Sequence, residues 1–162
     1  MTRFLLPRRM AAGAVAVGSG IVLGVVAAAP AAAEPQLVDT ISCNSPDPWS
    51  TVPLRIDVDV YNNVDFPVDG ATPPVLYLSA NNLRSVSLFE YTVETTVRWT
   101  NTSTGAVGTV ILPSRGHSAN WEGSLQTGRG NISFIVHQKI GALAFFPMVN
   151  PQYSSCSGSA TV

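Results

Sequence analysis

Cys43 and Cys156 have the most definite chemistry in this sequence. They lie near opposite ends of the segment 34–162, so a bond between them would close a loop over most of it. In an exported chain two cysteines most simply pair. Closing so long a loop restricts the unfolded chain, an effect worth roughly 4–5 kcal/mol on the chain-entropy model. The rival use is a catalytic thiol, which needs a nearby histidine and a lowered pKa. Only His117 and His137 are available for that role. Free thiols and an intermolecular bond are the remaining uses.

Three other groupings could do chemistry. Gly116-His117-Ser118-Ala119-Asn120 approaches the Gly-x-Ser-x-Gly nucleophile elbow, but Asn120 stands where the last glycine belongs. The elbow also needs a strand, a sharp turn and a helix, and the surrounding residues read as a polar loop. Asp57, Asp59, Asp65 and Asp69 supply the oxygen ligands calcium prefers. Tyr61 and Asn62 occupy the offsets of an EF-hand loop, so these aspartates read as a solvated strand face. Zinc would need its cysteines and histidines close together. No catalytic residue, metal or cofactor is therefore expected.

Binding is the better use of what remains. Arg115, His117, Trp121, Glu122 and Arg129 gather within one short stretch among glycine and serine. Loops on a rigid scaffold carry recognition, and Trp and Arg are favoured contact residues. The plainer reading of Trp121 is that it covers one end of the core. Residues 140–149, with Phe145, Phe146 and Met148, read as a central strand buried on both faces, or else as an exposed apolar patch. Asn101-Thr102-Ser103 and Asn131-Ile132-Ser133 match the glycosylation pattern and read here as turn chemistry.

The segment 1–33 reads as an export leader. Arg3, Arg8 and Arg9 make a positive start, residues 11–29 are apolar and uncharged, and Ala31-Ala32-Ala33 precedes Glu34. Small side chains at −3 and −1 place signal cleavage between Ala33 and Glu34. A retained anchor is the alternative, since the apolar run nearly spans a bilayer. Arg8-Arg9 leaves the twin-arginine route open beside the general one.

Without that leader, positions 34–162 are enough for one domain and too few for two ordinary ones. The leader takes three of the nine basic residues and none of the ten acids, so the remainder carries six against ten, a net charge of about −4. Lys139 is its only lysine. A nucleic-acid surface needs clustered Lys and Arg and is excluded.

The elements that must position these residues are strands. Leu54, Ile56, Val58 and Val60 alternate with Arg55, Asp57, Asp59 and Tyr61, the period-two signature of a half-buried strand. Tyr91, Val93, Thr95, Val97 and Trp99 alternate likewise through residues 91–100. A turn over 101–105 returns the chain as a partner strand over 106–112, which Pro113 should stop. Further strands are expected over 37–43, 75–79, 118–125, 131–138, 143–149 and 155–162. Residues 83–89 could form one short helical turn. Trp49, Trp99, Tyr91 and Phe134 are expected in the core.

Eight or so short strands with turn residues between them predict an all-β domain, a two-sheet antiparallel sandwich. The Ala/Val-rich leader, the run Val97-Arg98-Trp99-Thr100-Asn101 with Thr104-Gly105, the turn Thr127-Gly128-Arg129-Gly130 and the ending Cys156-Ser157-Gly158 resemble small exported immunoglobulin-like proteins of actinobacteria. That resemblance implies an immunoglobulin-like β-sandwich and an extracellular or envelope-associated location, and it carries no catalytic residues. The cysteine pair and core tryptophan of antibody domains have no counterpart at these positions. The expectation is an exported, non-enzymatic domain that binds a protein or envelope component through its loops, with no stable membrane insertion after cleavage. A secreted hydrolase of unrecognised type and a lipid or small-ligand carrier are the alternatives.

Overall fold

A computed structural model describes residues 34–65, 67, 69–82, 87–144 and 148–162. The leader with Ala33, most of the expected helical turn (83–86), and Phe145 and Phe146 lie outside the described residues. Among the described residues there is no helix, so none is long and apolar enough to cross a membrane.

The described residues form eight strands in chain order: β1 (Gln36–Ser42), β2 (Ile56–Asn62), β3 (Leu76–Asn82), β4 (Tyr91–Asn101), β5 (Val107–Gly116), β6 (Trp121–Leu125), β7 (Asn131–Ala142) and β8 (Val149–Thr161). They form two antiparallel four-stranded sheets with orders β1-β2-β3-β6 and β5-β4-β7-β8. The arrangement is all-β and sandwich-like.

Alternation explains why these sheets share a core. In β2 the side chains of Ile56, Val58 and Val60 are fully buried, while Asp57, Asp59 and Tyr61 face outward. Leu76, Leu78 and Ala80 of β3 continue the same inner face. Val93 and Val97 of β4 and Ile132, Phe134, Val136 and Ile140 of β7 line the opposing sheet, and all join one apolar cluster. Burying each such side chain stabilises the fold by about 1.5–3 kcal/mol. Tyr91 and Phe134 are buried, and Trp49 and Trp99 pack against the cluster from its margin.

The Cys43–Cys156 disulfide is present, with Cα atoms 5.3 Å apart and a sequence separation of 113. Cys43 follows β1 in one sheet and Cys156 lies in β8 of the other, so the bond joins the sheets along one margin.

Two expectations are corrected. Pro113 does not end β5, which continues to Gly116, with Pro113 opposite Glu94. β5 is the outer strand of its sheet, where a missing N–H breaks no ladder bond. Nor does 140–149 form one buried central strand. β7 runs on to Ala142, and β8 begins at Val149, so the expected strand is divided between the end of one element and the start of the next.

Candidate functional site

Arg115, His117, Trp121, Glu122 and Arg129, close together in the sequence, are distributed by the fold over four different places. Trp121 opens β6 opposite Ala80 and is only 4% exposed. With the Gln138 amide oriented so that its oxygen faces the indole, the assignment that satisfies both of its ends, the Trp121 indole N–H donates to Gln138 Oε1 at 2.8 Å and the Gln138 N–H₂ donates to the Cys43 carbonyl and Ser154 Oγ, both at 3.1 Å. This is the core-covering position, and it presents no face to a partner. Glu122 is on the outer face of the first sheet, where Tyr77 O–H donates to its Oε2 at 2.5 Å. Burial first, then the hydrogen bond and charge of Glu122, push the Tyr77 phenol well above its ordinary value of 10.

That shift has a pH consequence. A phenol harder to ionise in the folded state contributes stability that is complete below its unfolded pKa near 10 and lost as pH rises through the higher folded value. In a spectrophotometric alkaline titration, Tyr77→Phe is expected to remove the last-ionising tyrosine component. An unchanged high-pH limb would contradict the Tyr77–Glu122 pairing.

Arg129 lies at the opposite end of β4 from Arg115. Tyr91 at the start of β4 pairs with Gly116, whereas Asn101 at its end donates to the carbonyls of Thr127 (3.0 Å) and Arg129 (2.9 Å). Eleven residues of strand separate these ends by about 33 Å at ~3.3 Å per residue. Asn101 is fully buried, and its Oδ1 accepts from the Ser103 and Thr104 amides at 3.0 and 3.2 Å. It therefore serves as the lock of its turn rather than as a glycan acceptor.

Arg115 and His117 stay together and acquire new neighbours. Arg115 Nε and Nη2 both donate to Glu90 Oε2, at 3.2 and 3.1 Å. His117 Nε2 is 3.7 Å from Glu90 Oε1, and its Nδ1 lies 3.2 Å from the Ser87 carbonyl. The backbone ties the same segments, since Ser87 N–H donates to the His117 carbonyl at 2.9 Å. The Glu90 carbonyl accepts from the Trp49 indole at 3.0 Å and from Leu143 N–H at 3.0 Å. Trp49 stacks on Phe89 with ring centroids 4.6 Å apart and planes 23° from parallel. Phe89 is 55% exposed and Leu88 is 92% exposed.

One end of the molecule thus combines a stacked aromatic pair, a bare leucine and a Glu–Arg–His cluster. Sequence reasoning does not single out Glu90, Trp49, Leu88 and Phe89 as site residues. A signal is present in the hairpin: a ladder counted outward from the 101–105 turn sets residue 91 against 116 and residue 90 beside 117.

His137 faces outward from mid-β7 opposite Thr96, about 17 Å along the strand from the Tyr91 end at ~3.4 Å per residue. His117 and His137 are therefore not paired. Residues 116–120 connect two strands, so the turn-to-helix context of a nucleophile elbow is missing. Asp57 and Asp59 accept from Ser42 Oγ (3.3 Å) and Thr40 Oγ1 (2.7 Å) on a solvated face. Among the described residues no group of three or more His, Cys, Asp or Glu side chains is placed to hold a metal. Asp69 is a separate polar fixture. Burial alone would raise its pKa, but the amides of Ser124 (2.7 Å) and Ala71 (3.2 Å) outweigh this and hold it below the usual value of 3.8.

Compared with known proteins, the chain matches no family model, no curated protein and no solved structure.

Proposed function

We propose that this chain is an exported, immunoglobulin-like β-sandwich that acts as a non-enzymatic binding module for a protein or envelope component. The observation that carries the reading is the loop end at Trp49, Leu88, Phe89, Glu90, Arg115 and His117. Exposed aromatic and aliphatic surface beside charges is the composition of a recognition patch, and a single leucine 92% exposed has no structural use there. Two antiparallel four-stranded sheets over one core support the immunoglobulin-like assignment. The disulfide fits an oxidising compartment, as the leader implies.

Capture from envelope and culture-medium fractions tests the reading. Leu88→Asp and Phe89→Ser are expected to reduce recovery of the captured component at least tenfold. Leu88→Asp should leave thermal unfolding unchanged, because Leu88 contributes nothing to the core. Equal recovery with both variants would remove this end from the binding surface, and turnover of a chromogenic ester or glycoside would favour the hydrolase instead.

A further inference from the structure

The two sheets have four marginal strands: β1 and β6 in one, β5 and β8 in the other. A marginal strand offers unpaired N–H and C=O groups to any other chain, and proteins blunt such edges with bulges, charges, prolines or brevity. Three of the four are blunted. β1 has a register shift between Leu37 and Asp39 and carries the Asp39 carboxylate. β5 holds Pro113 and Arg115, and β6 has five residues. β8 is blunted only at its start, by the register shift opposite Ile140 to Ala142 and by Pro151; residues 152–161 contain no proline and no charge.

The register tells which groups of β8 are free. Gly130 and Val162 exchange both backbone hydrogen bonds at 3.0 Å. The ladder continues through Ile132↔Ala160, Phe134↔Gly158 and Val136↔Cys156, so even-numbered residues of β8 turn their backbone groups toward β7 and odd-numbered ones turn them outward. Thr161 agrees, since its carbonyl accepts from Asn62 Nδ2 at 2.9 Å on the outer side. That bond closes one end of the edge, and Pro151 closes the other. Tyr153, Ser155, Ser157 and Ser159 remain between them, and no backbone partner for their outward groups is found among the described residues.

We infer that β8 is a self-association edge, and that a second copy of this chain adds its own β8 antiparallel to form one continuous eight-stranded sheet. Symmetry favours a second copy as the occupant of this edge. The free residues are disposed evenly about Cys156, two on each side, so a two-fold axis there sets Tyr153 against Ser159 and Ser155 against Ser157. That register engages the outward groups of all four residues on both strands, about eight hydrogen bonds. A two-fold contact brings a strand against its own copy, which penalises any charge it carries. In a chain whose remainder is net acidic, β8 is the edge free of that penalty. The serine side chains are small enough for two such edges to meet, and Tyr153, 67% exposed, can reach across diagonally on the outer face.

Sedimentation of the purified protein from micromolar to millimolar concentration is expected to show the mass rise from one protomer to two. Amide exchange at Ser155, Ser157 and Ser159 should slow at least tenfold over that range, while the Cys156 amide, already bonded to β7, stays protected throughout. Ser157→Lys adds a like charge at the axis and leaves the β7 ladder intact; it should remain folded and monomeric. Ser157→Pro removes an outward N–H only and should do the same. Monomer at every concentration, a dimer that persists in both variants, or protection that appears on β8 only when another protein is added would overturn the inference.

Discussion

Breaking the Cys43–Cys156 bond, by reductant or by Cys43→Ala with Cys156→Ala, is expected to lower the unfolding free energy by about 3–5 kcal/mol. The bond spans 113 positions and ties the segment after β1 to the middle of β8. Without it the unfolded chain regains the freedom of a loop covering nearly the whole domain. The folded side loses little geometry, because β1 and β8 are each held by ladders to β2 and β7. The loss should therefore appear as a lower urea midpoint for a protein that still folds. The sheet margin where β1 meets β8 should exchange amide hydrogens first. A midpoint indifferent to reductant would contradict the role given to the bond.

The second large effect is at Trp121. Trp121→Ala is expected to cost about 3–5 kcal/mol, since it removes a large buried side chain and leaves a cavity. Trp121→Phe should cost less, about 1–3 kcal/mol, because it keeps most of the volume but leaves Gln138 Oε1 without its donor. Gln138 is only 2% exposed, so water cannot easily replace the indole. Its amide also reaches the Cys43 carbonyl and Ser154, which makes this polar link a neighbour of the disulfide. Neither variant should alter recognition at the loop end beyond its effect on the folded fraction. Denaturant unfolding with the capture assay separates the two effects; weakened capture at unchanged stability would return Trp121 to the binding surface.

Different parts of the fold are legible in the sequence to different degrees, for physical reasons. β2 and β4 can be read directly, since large apolar residues alternate with polar ones along them. β8 is harder. Its inward positions are Ser154, Cys156, Gly158 and Ala160, so small side chains hide the alternation and with it the start of the strand at Val149. Gly158 is small because the Phe134 ring lies where a side chain would go. β6 falls inside the strand expected over 118–125, and only its start at Trp121 is blurred by the glycine and serines around it; Gly123 is small because a Cβ there would collide with the Leu112 side chain.

The candidate site is half legible. Arg115 and His117 stand out by type, but stopping β5 at Pro113 conceals that the hairpin continues and delivers them to Glu90. The grouping with Arg129 follows closeness in sequence, which β6 and the length of β4 undo. Trp49 and Phe89 come from distant segments, and nothing short of the folded arrangement announces their stack.

We propose that the loop end recognises a partner while the core stays a scaffold. The three tryptophan indole N–H groups report on three separate places: Trp49 in the loop end, Trp99 of β4 over Gly108 of the outer strand β5, and Trp121 in the core. An amide–indole NMR titration of the protein with the component it captures tests the claim directly. The Trp49 indole signal is expected to move, with the Leu88, Phe89 and Glu90 amides, while the Trp121 signal stays in place. A titration that shifts the Trp121 or Trp99 indole and leaves Trp49 unmoved would contradict it.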